Sequence, residues 1–397
     1  MKILFITSHA PDGPDHGARL RARNLLLQLA KLGEVHLVLA GSYEKFSYAK
    51  QSDIDIMRPI RTYDFGPWII EGIHERFRYE WGSTYLNTYG ARAKVEDLTS
   101  LRDLIDSYDL VWVHGLRVAN GFDLWRWPRS VLDIDDIPSE VAKTKMRNAI
   151  GAKEKLRAMR QFLRWRRHEA RILERFDAMA VCSESDRERF LSSSRVQVIY
   201  NGFDVPREVP KRQRYLPIRI GFVGSLEYAP NAEGLQWFLS EVWPRIFGKF
   251  PDITLRIAGK YSERKEWSNI YGVEGLGWVD DLDGEVDTWA LTIVPIFEGG
   301  GTRIKISTAF SYKCPVVSTA LGAYGYEVSD GNEILIANSA FDFGTACIRI
   351  LDDQELGERL SENAWNAFLQ KWTWNANGPR IAELVQAALA QVNIKAL

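Results

Sequence analysis

Gly299, Gly300, Gly301, Thr302, Arg303 and Lys305 stand together in one short stretch. Glycines let a backbone approach a ligand without Cβ obstruction. If a helix starts just after them, its free N–H groups and positive end favour an anion, and phosphate is the usual guest. Arg303 and Lys305 then occupy the first turn, where cations oppose the helix dipole. An anionic ligand offsets that conflict, and arginine matches paired phosphate oxygens. The plainer reading is a tight turn carrying surface charges.

The sequence on either side predicts the elements that would hold this loop. Ile293, Val294, Ile296 and Phe297 form an apolar run suited to a buried parallel strand. Thr302 is placed to cap a helix over residues 303–312. That helix must stop before Cys314 and Pro315, because the residue ahead of proline disfavours helical geometry. Val316 and Val317 open the next strand.

The chain has 397 residues, which predicts two domains rather than one core. A net charge of −1 gives no sign of a nucleic-acid binder. Cys182, Cys314 and Cys347 are far apart and odd in number, so neither a disulfide framework nor zinc spacing emerges, and a reducing cytoplasm fits. The N-terminal apolar run is too short for a secretory signal, and no stretch approaches a membrane span. The 14 tryptophans keep a membrane-surface location open.

Residues 2–7, a helix over 18–32 and a strand over 35–40 predict a βαβ unit, and so a parallel α/β sheet. The loop after the first strand lies at the carboxyl edge, where ligands bind. His16, Gly17 and Arg19 are therefore candidates for ligand contact or ordinary residues at a helix start. Residues 63–89 are dense in aromatics and read as local core or as helices over the acceptor side. His114 ends a strand over 109–114, facing a ligand or serving structure. Asp133, Asp135 and Asp136 end a strand over 131–136; carboxylates suit magnesium, but capping and salt bridges are the favoured reading. A long helix over 152–176 is expected to bury Leu156, Met159, Leu163, Ala170 and Leu173. Arg157, Arg160, Arg164, Arg167 and Arg171 share another face, suited to anionic headgroups, to a pyrophosphate-bearing acceptor or simply to water. Residues 205–217, rich in proline and charge, read as the linker. A second α/β unit begins at Ile218, with a loop over 226–231 ahead of its first helix.

The order of these pieces resembles the retaining glycosyltransferases of family four, on the branch whose donor loop reads GGGTRLK. Here residues 299–305 read GGGTRIK, supported by FVGS (222–225), APN (229–231), GWVDDL (277–282), CPVVST, LGAYG, HGARLR, DIDDIPSE and VCSESDR. The resemblance implies an α/β protein of the GT-B fold, two Rossmann-like domains facing a central cleft. Residues 1–204 would bind the acceptor, 218–365 the nucleotide-sugar donor, and 366–397 would be helices crossing back to the first domain. It also implies that Gly224 and Ser225 approach the donor phosphates and that Trp278 and Val279 sit by the base. Arg303 and Lys305 would neutralise diphosphate, and the segment holding Tyr324 and Gly325 would line the donor pocket. Gly17 would close over the donor, with His114 near the reacting sugar. The family's paired glutamates fall on Gly300 and Thr308, so the ribose contact rests on Thr308; Glu298 lies two residues early. Glu227 and Tyr228 replace the usual Arg and Lys.

The expected activity is hexosyl transfer from a nucleotide-diphosphate sugar, itself a co-substrate rather than a cofactor, to a saccharide or lipid-linked saccharide. The transfer is expected to retain configuration and to need no metal, in cell-surface polysaccharide or glycoconjugate synthesis. A GT-B-shaped binding subunit without activity, and a sugar-nucleotide epimerase, are the alternatives.

Overall fold

The computed structural model describes the chain apart from residues 12–16, 42–54, 87–88, 191–193, 207, 210–214, 264–266, 268, 300–301 and 396–397, and only the backbone of 392–395. The chain divides into two compact units, Met1–Tyr200 with Asn377–Leu397, and Asn201–Ala376. The change of unit after Tyr200 falls ahead of the linker expected at 205–217.

The first unit is built on a seven-stranded parallel sheet. Its strands are β1 (Lys2–Thr7), β2 (Glu34–Gly41), β3 (Pro59–Asp64), β6 (Leu110–His114), β7 (Ser130–Asp133), β8 (Ala178–Val181) and β9 (Val196–Val198), in the order β3-β2-β1-β6-β7-β8-β9; β4 (Gly66–Pro67) and β5 (Ala91–Arg92) form a small separate ribbon. Between them run α1 (Gly17–Ala30), α2 (Gly72–Trp81), α3 (Val95–Asp106), α4 (Leu116–Gly121), α5 (Pro138–Asn148), α6 (Ala152–Glu169), α7 (Ile172–Arg175) and α8 (Glu184–Glu188). The central strands are buried on both faces, as their unbroken apolar runs require. On α1 the residues Leu25, Leu26 and Leu29 face the core, as the helical spacing predicts.

Two expectations for this unit need correction. The helix expected over 152–176 breaks between Glu169 and Ile172 into α6 and α7. Its leucine side is not the buried one: Leu156, Met159 and Leu163 are exposed, while Ala158, Arg164, Trp165, His168 and Glu169 face inward. The reason is local chemistry. Glu169 accepts from the backbone N–H and the hydroxyl of Ser139, which fixes the inward face. The supposed basic face is mostly engaged. Arg164 is buried with its guanidinium 4.1 Å from the Tyr79 ring centre. Arg160 pairs with Glu80 at 2.9 Å and Arg171 with Glu174 at 2.6 Å. Arg167 donates to the Glu80 carbonyl and stacks on Trp81, which leaves Arg157 outward. Arginine stems and planar heads pack well on aromatic rings, so arginine count alone does not mark a solvated face.

The second unit holds a six-stranded parallel sheet of β10 (Arg219–Val223), β11 (Thr254–Ala258), β12 (Val273–Gly277), β13 (Leu291–Val294), β14 (Val316–Ser318) and β15 (Leu335–Ile336), ordered β12-β11-β10-β13-β14-β15. Its helices are α9 (Ala229–Trp237), α10 (Trp243–Lys249), α11 (Leu282–Asp287), α12 (Ile304–Ser311), α13 (Ala340–Asp352) and α14 (Gln354–Lys371); α15 (Trp374–Lys395) ends the chain. The core gathers Ile220, Phe222, Leu255, Ile257, Leu291 and Ile293 under Phe238, Trp243 and Phe343. Gly221 is required in β10, because a Cβ there would lie 1.7 Å from the Trp289 ring. The helix expected after residue 231 starts earlier, at Ala229, since Pro230 suits a first helical turn.

Candidate functional site

Each sheet runs out from its first strand in both directions, so each has a topological switch point where successive connections cross to opposite faces. In such sheets, ligands bind beyond the carboxyl ends of the strands at that point. In the second unit the switch lies between β10 and β13, and in the first between β1 and β6.

In the second unit, β10 ends at Gly224 and Ser225, and β13 leads through Pro295–Gly299 to α12. The two following helices, α9 and α12, both start without a side-chain cap. Thr302 is not the cap that the sequence predicts: Arg303 holds that position, and Thr302 Oγ1 accepts from Asn201 Nδ2 at 2.7 Å. Uncapped N–H groups at a helix start favour an anion.

Arg303 and Lys305 are drawn to this place. Arg303 donates to the Glu298 carbonyl at 3.2 Å, and its own carbonyl accepts from Tyr326 at 2.9 Å. Lys305 is buried; its ammonium donates to Asn231 Oδ1 at 2.8 Å and lies 4.2 Å from the Phe222 ring centre. Asn231 Nδ2 donates to the Ser225 carbonyl at 2.9 Å. A Cβ on Gly224 would fall 2.6 Å from Asn231 Nδ2 and 3.1 Å from Lys305 Nζ, so a side chain there would displace the Asn231 amide and crowd the Lys305 ammonium. Burial, with Arg303 nearby, pushes the Lys305 ammonium down to about 7.

Gly299 has a φ of +107°, and a Cβ there would lie 2.6 Å from the Tyr228 hydroxyl and 3.0 Å from Arg303 Nη2. Gly300 and Gly301 lie outside the described residues. Glu298 is half-buried. Thr308 is buried with its hydroxyl on the Ile304 carbonyl at 3.2 Å, inside its own helix. Tyr324 and Gly325 lie half-buried in the turn after β14, and the neighbouring Tyr326 hydroxyl meets Ser307 at 2.8 Å. Trp278 is exposed beyond β12, with its indole N–H on Asp280 at 3.0 Å, and Val279 is half-buried beside it.

In the first unit, His114 ends β6 in register with Thr7 of β1. Its Nδ1 lies 2.6 Å from Asp133 Oδ2, at the end of β7. A carboxylate only accepts, so Nδ1 carries the proton and Nε2 is the ring's remaining atom for a ligand. Arg21 of α1 grips both oxygens of Asp133, at 3.0 and 2.5 Å, and donates to the Ile199 carbonyl at 2.9 Å. Burial opposes ionisation of Asp133, but Arg21 and His114 outweigh it and hold the carboxyl down at about 2. Gly17 begins α1 and Arg19 is half-buried in its first turn; His16 lies outside the described residues. Asp135 accepts from the Cys182 thiol at 3.2 Å and adds its charge to those that stabilise the Arg21 guanidinium, while Asp136 is exposed. Among the described residues, no three His, Cys, Asp or Glu side chains group as metal ligands.

Asn231, Tyr228 and Arg21 stand in stretches already noted in the sequence, but their contacts with Lys305, Gly299 and Asp133 were not specified there. Arg21 had one signal: it lies four residues before Leu25, on the inward face of an amphipathic helix, where an arginine needs a buried acid.

Comparison with known proteins adds to this geometry. The whole chain has the two-domain α/β fold of the GT-B glycosyltransferases. It superposes on sucrose-phosphate synthase from Thermosynechococcus elongatus with a TM-score of 0.69 at 16% identity, covering 98% of this chain and 100% of that one. It superposes on HepE from Anabaena, in complex with UDP and glucose, with a TM-score of 0.63 at 14% identity, covering 97% and 99%. Residues 217–353 match the family model described as "Glycosyl transferases group 1". An uncharacterized 44.6 kDa protein in the cps region of Klebsiella pneumoniae is 26% identical over 211 residues, which are 49% of this chain and 54% of that protein. The chain thus spans about half the length of that curated relative.

Proposed function

We propose that the chain transfers a hexose from a nucleoside-diphosphate donor to a saccharide or lipid-linked saccharide acceptor, in polysaccharide or glycoconjugate synthesis. The observation that carries this is the meeting of Arg303, Lys305 and two uncapped helix starts at the switch point of the second unit. The family match over that unit supports it, as does the UDP and glucose bound by HepE.

The bond from the sugar's anomeric carbon to the diphosphate breaks through an oxocarbenium-like state, and the electron pair leaves with the diphosphate. The acceptor hydroxyl bonds to that carbon on the same face, and its proton passes to the departing phosphate oxygen. Negative charge therefore builds where Arg303, Lys305 and the helix N–H groups stand, the arrangement that lowers such a barrier. Those charges supply what a metal ion otherwise would, so the transfer is proposed to be metal-independent, with no cofactor beyond the nucleotide sugar. Gly224, Ser225 and Gly299 let the phosphates approach, together with Gly300 and Gly301 from the sequence. Trp278 and Val279 are proposed to flank the base, with Glu298, Thr302, Tyr324 and Gly325 around the sugar phosphate. His114 Nε2 is proposed to accept from a sugar hydroxyl, and Gly17, His16 and Arg19 to meet substrate in the first unit. A lipid-linked acceptor places the chain at the inner face of a membrane.

A binding subunit without turnover is the second reading, favoured by Thr308, which spends its hydroxyl inside its helix where a carboxylate is expected. A screen of nucleotide sugars for protection against thermal unfolding identifies the donor, since a ligand of the native state raises stability. Release of nucleoside diphosphate that needs acceptor supports transfer. Release without acceptor, or protection without release, contradicts it.

A further inference from the structure

We propose that α2 and α6 form a docking surface for an anionic lipid bilayer, with their apolar sides entering the headgroup layer. This goes beyond sugar transfer, and it rests on side chains other than the arginine face read from the sequence. Not one of the ten residues of α2 is buried. Ile73, Phe77 and Trp81 recur every four residues, so they share one face, and they are 78, 66 and 60% exposed. Leu156, Met159 and Leu163 make a second exposed stripe on α6. Ile150, in the turn between α5 and α6, is 95% exposed. Single apolar residues at a surface are ordinary, but two stripes on neighbouring helices are not.

The helices are joined side by side. Arg160 pairs with Glu80, Arg164 covers Tyr79 and Arg167 stacks on Trp81 at 4.9 Å. These contacts occupy the acid of α2 nearest α6. Its other acid, Glu75, accepts from the Tyr85 hydroxyl and the Glu71 N–H.

Charge selects the occupant. Apart from that arginine face, Lys145, Arg147, Lys153, Lys155 and Arg166 are exposed on α5 and α6 against one exposed acid, Glu154, in a chain whose net charge is −1. A strongly basic pair of helices with projecting Ile, Leu, Phe and Trp suits an anionic interface, where apolar insertion and electrostatic attraction add. Tryptophan beside arginine belongs at headgroup level.

The test is sedimentation of the full chain with vesicles of phosphatidylcholine alone, or of phosphatidylcholine with phosphatidylglycerol. The variants are Ile73→Asp with Phe77→Asp, and separately Leu156→Asp with Leu163→Asp; circular dichroism checks their folding. The wild type is expected to sediment with the anionic vesicles only. Each folded double variant should lose about tenfold or more in partitioning. Three results overturn the proposal: a wild type that ignores anionic vesicles, variants that bind like the wild type, or a wild-type dimer that the variants dissolve without any vesicle binding. The last would assign the face to a second copy.

Discussion

Lys305 Nζ, on the helix that follows β13, donates to Oδ1 of Asn231, on the helix that follows β10, at 2.8 Å. The bond ties together the two sides of the switch point in the second unit. It also keeps an ammonium group buried opposite an uncharged partner. An amide oxygen satisfies the donor without neutralising the charge.

The first prediction concerns pH. Burial, then Arg303, holds Lys305 at about 7, against an ordinary 10.5. Below pH 7 the ammonium is already charged; above it, diphosphate binding must bring a proton in. Affinity for a nucleoside diphosphate should therefore fall as pH rises above 7, by up to about tenfold per unit. Calorimetry in buffers of different ionisation heats would show proton uptake on binding. In Lys305→Met the slope and the uptake should both vanish; their survival would assign them elsewhere.

Gly299 gives a second prediction. At φ +107°, a Cβ would lie 2.6 Å from the Tyr228 hydroxyl and 3.0 Å from Arg303 Nη2. Gly299→Ala should lower stability by about 1–3 kcal/mol. It should also weaken nucleotide binding by displacing Arg303. A variant with unchanged melting temperature and unchanged affinity would show that the loop tolerates a side chain.

The buried cluster of Arg21, Asp133 and His114 gives the third. Removing one partner of a buried ion pair strands the other, which costs about 3–5 kcal/mol. Arg21→Met should destabilise the chain by that order in urea unfolding. Acid should act through the same cluster. The Asp133 carboxyl sits at about 2 when folded against an ordinary 3.8, so its contribution is present above pH 3.8 and is lost as pH falls toward 2. The gap corresponds to about 2 kcal/mol. Asp133→Asn should flatten that acid limb of the stability curve, and a limb of unchanged slope would contradict the assignment.

These sites were unequally legible in the sequence. The strands β1, β6, β10 and β13 announce themselves, because apolar runs bounded by turn residues have few other outcomes in a parallel sheet. The helix after the glycines was legible too: it runs from Ile304 to Ser311 and stops ahead of Cys314 and Pro315. Long-range partners were hidden. Nothing local says that Lys305 reaches Asn231, 74 residues away, or that Arg21 reaches Asp133, 112 away. The α6 helix misled for a physical reason. Its leucines recur at core spacing, yet a carboxylate bonded to Ser139 and arginines stacked on aromatics decided which side packs inward. Periodicity reports a stripe, and tertiary partners choose which stripe is buried.

Arg303 tests the central claim most directly. Isothermal titration of the nucleoside diphosphate of the donor found in the thermal screen, into the wild type and Arg303→Ala with folding of both checked by circular dichroism, measures whether this loop holds a diphosphate. The wild type should bind, and the variant should bind at least about tenfold more weakly, the loss expected for a charge-assisted contact. Equal affinity in the two proteins would contradict the account.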